Sequence, residues 1–355
     1  MSSTSKEVVL TGGRRQIDCE LLERRLREYF VEVRHDEREL RLGPRFEGGW
    51  SINTFALGVG EDDLVVRFSH ENHPLGTNAA REGYVMDRAV AAGVPAPRVI
   101  AIEDDVRWLG TPFTVYERVG GTAPNVWSRR SVRHLLASRP AEEILDQLID
   151  AARRIATVPV PTQPAELPSM LGFTKSQYSV SADVQRWTAL LAETSRPRPT
   201  LSAAARWLVA NAPSSSEVVF QHHDFRLGNV LFDGEGRLTG VLDWEFSGAG
   251  DPLCDIGYAA QPYCLGKLLR TDPHLQLQPD PTSWILQRYQ ETSSTPLEAS
   301  RLRYFLALGI FKMACALVIS ADQWWRGNGD YRDAWLELPI LSLTEDLIVA
   351  IRGLS

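Results

Sequence analysis

Cysteine is scarce in this 355-residue chain, with four copies at Cys19, Cys254, Cys264 and Cys315. No two form a CxxC pair, and no histidine stands at metal-ligand spacing from one. Neither a disulfide framework nor a structural zinc site is expected, and a reducing cytoplasmic setting fits this usage. Basic charge is also short: 38 Lys and Arg face 45 Asp and Glu, a formal net charge of −7. Nucleic acid is therefore not expected as a main partner. The opening residues, MSSTSKEVVL, lack the basic-then-apolar pattern of a secretory leader. The most apolar helical stretch, YFLALGIFKMACALVI (304–319), is interrupted by Lys312 and falls short of the ~18 to 20 residues of a membrane span. It reads as a core helix, with no membrane contact expected. Repeats and low-complexity tracts are missing too. What is left is an ordinary globular composition, 44% apolar and 23% charged. The length suffices for two domains or one large bilobal unit.

Apolar periodicity changes once along the chain. Residues 16 to 33 carry Ile17, Leu21, Leu22, Leu26 and Phe30 at helical spacing. Short apolar runs follow, ELRLG, INTFALGVG and DDLVVRFS, which read as an antiparallel meander. Residues 77 to 92 are helical, with Thr77 or Asn78 as cap and Gly93 as stop. RVIAIEDD and PFTVYERV give two more strands. After VGGTAP the chain is mainly helical. The predicted architecture is α+β and bilobal: a small antiparallel-sheet lobe over 1–119 and a larger, mainly helical lobe over 120–355.

One stretch stands apart: VFQHHDFRLGNVLFDGEGRLTGVLDWEFSGAGDPLCDIGY, residues 219 to 258. NVLF and LTGVLDW flank the turn signal DGEG, so a hairpin is predicted. Asn229 begins its first strand and Asp243 ends its second, which sets them nearly opposite each other at the open end. Asp224 lies in the loop entering that end. Two oxygen ligands suit Mg²⁺ completed by substrate phosphates, and a further carboxylate can accept a proton from a hydroxyl nucleophile. These are the parts of phosphoryl transfer. Asp and Asn at hairpin ends often only cap turns, but the joint pattern H-x-D-x-x-x-x-N, hairpin, D-W-E is much less common by chance.

HHDFRLGN followed by GVLDWEFSGAGDPLCDIG resembles the aminoglycoside phosphotransferase and choline kinase family, relatives of the protein kinases. The likeness is greatest to the branch with H-G-D-x-R-x-G-N, which includes kinase-like domains fused to acyl-CoA dehydrogenases. It covers roughly residues 40 to 260, including FEGGWSINTFAL, LVVRFS and AREGYVMDRAVAAGVPAPRV. The resemblance implies a protein-kinase-like fold with ATP or GTP as co-substrate, Mg²⁺, and a small hydroxylated acceptor. It implies Asp224 as catalytic base and Asn229 and Asp243 as metal ligands. His222 is implied to brace the catalytic loop, Asp255 to bind that loop's backbone, and Glu245 to approach a second metal or its water. Asp251, in GDP, reads instead as a helix cap.

In the small lobe, EGGWSINT should turn over the nucleotide phosphates, with Gly48 and Gly49 allowing close approach and Ser51 and Asn53 adding donors. It is not the G-x-G-x-x-G of protein kinases. Arg67 occupies the usual lysine place, with Glu82 as its implied partner; arginine can grip phosphate with two donors. The backbone of Glu117 to Val119 should meet the adenine edge, and Gly120 and Gly121 should let the lobes close. The alternative reading is a catalytically silent kinase-like module, for which Arg67 is the one supporting feature. A metallohydrolase built on His222, His223 and Asp224 lacks further ligands. The acceptor's identity and the oligomeric state are not legible in the sequence.

Overall fold

The computed structural model describes residues 17–46, 52–69, 75–214, 217–266, 268, 281–292, 298–327 and 331–353. Helix α1 (Cys19–Glu32) begins where the Asp18 carboxylate accepts the Leu21 N–H at 3.0 Å, and it buries Leu21, Leu22, Leu26, Tyr29 and Phe30. These side chains cover one face of a five-stranded antiparallel sheet. Its strands are β1 (Leu40–Arg45), β2 (Ile52–Val59), β3 (Asp62–Ser69), β4 (Val99–Glu103) and β5 (Phe113–Glu117), in spatial order β1-β2-β3-β5-β4.

Strand periodicity sorts β3 between two cores. Leu64, Val66 and Phe68 pack with α1, whereas Val65 joins the main core beneath the sheet. Arg67, two residues on from Val65, shares that lower face. Helix α2 (Ala79–Ala91) lies there, capped by Asn78. A Cβ on Gly83 would sit 2.4 Å from Thr114 Oγ1, so only glycine lets α2 approach β5 this closely. That approach brings the neighbouring Glu82 under the sheet.

Beyond β5 the chain is mainly helical. Helices α3 (Arg129–Ser138), α4 (Ala141–Ala156), α5 (Val180–Ala192) and α6 (Pro199–Ala210) precede strand β6 (Val219–Gln221), which pairs with β9 (Gly248–Gly250). Between them lies the hairpin β7 (Val230–Phe232) and β8 (Leu238–Val241). Helices α7 (Cys254–Ala259) and α8 (Pro262–Leu265) follow, then α9 (Pro281–Glu291), α10 (Ala299–Trp325), α11 (Tyr331–Trp335) and α12 (Glu337–Arg352).

Helix α10 corrects the sequence reading of its length. It has 27 residues and is long and apolar enough by composition to cross a membrane, but 83% of its most apolar window is buried inside the fold. Burial, not shortness, makes it a core helix. The tryptophans at its end, Trp324 and Trp325, are 38% and 43% exposed rather than packed in the core; Arg196 stacks over Trp325. Trp187 is buried, and Trp207 stacks on Tyr304.

Candidate active site

The loop after β6 is fixed from both ends. Asp255, on α7, accepts the backbone N–H groups of His222 and His223 at 2.8 Å each, while its own N–H donates to Gln221 Oε1. Burial pushes the Asp255 carboxyl up, against the opposing pull of His222 and those two N–H bonds. The His222 ring spans the loop: Nδ1 accepts the Asp224 N–H at 3.3 Å, and Nε2 lies 3.0 Å from the Leu242 carbonyl. Those two partners select the Nε2–H tautomer. His223 adopts a left-handed backbone, φ 65°. Its Nε2 meets the Ala249 carbonyl, and its Nδ1 takes a hydrogen bond from Lys312, which also donates to Asp183 at 3.0 Å. Burial and the Lys312 charge push the His223 imidazole down to about 3, so it is neutral at physiological pH.

The hairpin forms with a one-residue difference from the predicted register. Val230 pairs with Val241, and the Leu242 N–H donates to the Asn229 carbonyl at 2.8 Å. Asn229 is thus opposite Leu242, and Asp243 lies one position past the ladder. Asp243 then turns with φ 72° and ψ 58°, a left-handed conformation uncommon for a non-glycine residue and concentrated at functional sites. Asn229 Nδ2 donates to both the carbonyl and Oδ2 of Asp224, at 2.9 and 2.7 Å. Two acceptors on the nitrogen side orient the amide, leaving its oxygen open. Glu245 is buried in the short turn Trp244–Phe246 that follows.

Arg67 joins the two lobes. Its Nη1 lies 3.1 Å from Glu82 and its Nη2 2.9 Å from Asp243 Oδ1. Burial opposes the Arg67 charge, but the two carboxylates more than offset it. For Asp243, burial works against ionisation, yet Arg67, with Arg226 and His222 farther off, holds its carboxyl below the usual range. Glu82 goes the other way, pushed up to about 7 as burial and the Asp243 charge outweigh Arg67. Glu82 also accepts the Trp244 N–H at 3.0 Å, which ties α2 directly to the segment after Asp243.

Two sequence expectations need correction. Asn53 lies within β2, paired with Phe68, so it points to the α1 face; it is fully buried and accepts from Arg45 at 2.7 Å. It cannot donate to phosphate from there, because alternation sends it away from Arg67. Thr54, the cross-strand partner of Arg67, takes that face instead. Asp251 accepts the Leu253 N–H at 3.1 Å with one oxygen, as a cap at the entrance to α7 does, and pairs with Arg301 at 2.8 Å through the other. In the connector, Glu117 and Arg118 give their N–H groups to the Arg98 and Asp63 carbonyls, so the Glu117 N–H is taken. Val119 makes no backbone–backbone hydrogen bond among the described residues, and it lines a cavity of about 600 Å³ with Gly121, Leu135, Phe232 and Thr239. The Glu117 side chain pairs with Arg98. Gly48, Gly49 and Ser51 lie outside the described residues.

Two further points were not read from the sequence. Arg226 binds the candidate base: its Nε is 3.2 Å from Asp224 Oδ1. An arginine two residues after a candidate base was a signal in plain view. On helix α4, Glu143 pairs with Arg139 and Asp146 with Arg288, so these acidic residues form surface ion pairs. Among the described residues no group of three or more His, Cys, Asp or Glu could hold a metal. Asn229 Oδ1 and Asp243 Oδ2 offer two hard oxygens, a set that fits Mg²⁺ sharing its shell with phosphates and water.

The chain is similar to known proteins in sequence and in fold. Residues 43–270 match the family model described as the phosphotransferase enzyme family. Acyl-CoA dehydrogenase family member 10 of Mus musculus is 31% identical over 226 residues, 62% of this chain and 20% of its own length. Acyl-CoA dehydrogenase family member 11 of Gallus gallus is 29% identical over 290 residues, 76% of this chain and 35% of its own. The chain thus spans about a fifth to a third of these relatives' lengths. Among solved structures, a candidate aminoglycoside phosphotransferase from Ralstonia eutropha superposes with TM-score 0.67 at 22% identity, over 95% of this chain and 99% of that one. A thermostable mutant of the aminoglycoside phosphotransferase APH(4)-Ia, in complex with AMP-PNP and hygromycin B, gives 0.56 at 17%, over 90% and 98%. At such identities the likeness establishes the fold, which is bilobal and kinase-like.

Proposed function

Since the chain belongs to the phosphotransferase enzyme family, we propose that it moves the terminal phosphoryl group of ATP or GTP to an alcohol oxygen of a small molecule. The lobe boundary on this reading falls at 119/120, with the nucleotide between the lobes. Val119 offers the adenine edge a backbone N–H and carbonyl. Arg67 meets the phosphates while Glu82 holds its other end. Asn229 Oδ1 and Asp243 Oδ2 would hold Mg²⁺, which would supply charge neutralisation on the phosphate oxygens. Asp224 takes the proton of the acceptor hydroxyl. The acceptor oxygen then bonds to the terminal phosphorus as the bond to the bridging oxygen breaks, and the nucleoside diphosphate leaves.

The observation that carries this reading is the Asp224–Asn229 pair. One amide nitrogen clamps the carboxylate at 2.7 Å, while the amide oxygen has no hydrogen-bond partner among the described residues. A purely structural cap would need only the first half of that arrangement. The solved neighbours include complexes with AMP-PNP and with GDP, so both purine nucleotides belong in the test. Thermal melting with each nucleotide and Mg²⁺ comes first. A panel of hydroxylated acceptors follows: aminoglycosides, sugars, amino-acid alcohols and, since relatives are acyl-CoA dehydrogenase family members, hydroxyacyl thioesters. The expected result is a phosphorylated product whose formation depends on Asp224. Nucleotide binding with neither acceptor phosphorylation nor slow nucleotide hydrolysis would favour the silent module instead.

A further inference from the structure

The proposed reaction brings a triphosphate between two carboxylates, Asp224 and Asp243, and the terminal phosphoryl group must come close to Asp224. Like charges there would hold the nucleotide's end away from the base. Arg67 is already shared between Glu82 and Asp243. Arg226 is the other cation in the vicinity, and its geometry is unusual for a simple brace. Its backbone is extended, φ −158°, just before the short turn Leu227–Asn229. The side chain folds back so that Nε, not the two-pronged end, meets Asp224 at 3.2 Å. The terminal Nη groups make no hydrogen bond among the described residues, and the side chain stays 32% exposed.

Gly228 makes this fold-back possible. A Cβ there would sit 2.3 Å from Arg226 Nη1, and the other atom it would meet belongs to the same guanidinium. The motif R-x-G-N thus encodes one arrangement: an arginine laid over a bare glycine, tethered to the base by one nitrogen and presenting the rest of its donors. Burial opposes the Arg226 charge, but Asp224 more than offsets it, with Asp243 adding a smaller pull. A planar guanidinium so placed can bind two oxygens of one phosphoryl group at once.

We infer that Arg226 is a further catalytic residue of this site, gripping the terminal phosphoryl group beside Asp224, and that Gly228 exists to seat it. This rests on the phosphotransferase reading above, but its test needs no acceptor. Calorimetry should compare AMP-PNP and ADP, each with Mg²⁺, on the wild type and on Arg226→Ala, Arg226→Lys and Gly228→Ala. Thermal melting without nucleotide checks that each variant is folded. One lost charge-assisted contact to the terminal group should weaken AMP-PNP binding about tenfold or more while leaving ADP nearly unchanged. Arg226→Lys should fall between, because it keeps the charge and loses the fork. Gly228→Ala should show the same selectivity in weaker form. Equal losses for both nucleotides, or no loss for either, would overturn the inference and make Arg226 a brace on the base. Failure of the wild type to bind either nucleotide would overturn it together with the reading beneath it, a result distinct from the other two.

Discussion

Between Val219 and Tyr258, several buried polar side chains are held by partners from the same stretch. Asn229 binds Asp224 five residues away, His222 reaches Leu242, His223 reaches Ala249, and Asp255 collects two N–H groups from the loop. In helix α10, buried polar groups are held from far along the chain. Lys312 meets Asp183, 129 residues away, and Asp322 meets Ser195, 127 residues away. The first region builds its chemistry from local register, and the second stabilises it through tertiary packing alone. They meet where Lys312 hydrogen-bonds His223 beside the candidate base, where Arg301 pairs with Asp251, and where the Tyr258 hydroxyl reaches Met313.

If the local region carries the chemistry, its failure should be kinetic. Asp224→Asn is expected to lower turnover by about 10²- to 10⁴-fold, the usual contribution of a positioned base, with nucleotide affinity held close to wild type. Steady-state kinetics and calorimetry on one preparation check both halves. Wild-type turnover would remove Asp224 from its role.

The remote region should fail through stability. Lys312→Met leaves Asp183 as a buried carboxylate without its cation, and breaking such a pair typically costs about 3 to 5 kcal/mol. Chemical denaturation should show that loss, and adding Asp183→Leu should recover part of it. A neutral outcome for the single change would mean that the Lys312–Asp183 pair contributes nothing to stability.

The difference also explains what could be read in advance. The hairpin, Asp224 and Asn229 were legible because spacing within one short segment fixes their meeting. Arg67 and Glu82 were legible through likeness to a family, since nothing local joins a strand residue to a helix residue. Asn53 was misplaced because its role depended on where β2 begins, and one residue of strand reverses the face. Asp251 was legible as a cap because Pro252 follows it, but the partner of its second oxygen, Arg301, lies fifty residues on. Lys312 carried a signal that went unused: a lone lysine inside an apolar helix needs a buried partner, though its position could not say which one.

A smaller effect sharpens the comparison where the two lobes meet. Glu82 has its pKa pushed up to about 7 from an ordinary 4.5. Between those values the folded chain holds a proton that the unfolded chain has released. This carboxyl therefore favours folding most at low pH, and that contribution is lost as pH rises through the window. The melting temperature of wild type relative to Glu82→Gln should decline across it. A constant difference would place the Glu82 pKa near its ordinary value.

The central claim is that Asn229 and Asp243, together with Asp224, surround one nucleotide's phosphates. The most direct measurement is calorimetric binding of AMP-PNP, with and without Mg²⁺, to the wild type and to Asp243→Ala. The account predicts Mg²⁺-dependent binding to the wild type, and weaker binding with little Mg²⁺ dependence in the variant. Equal affinity of the two proteins for the Mg²⁺–nucleotide complex would contradict it.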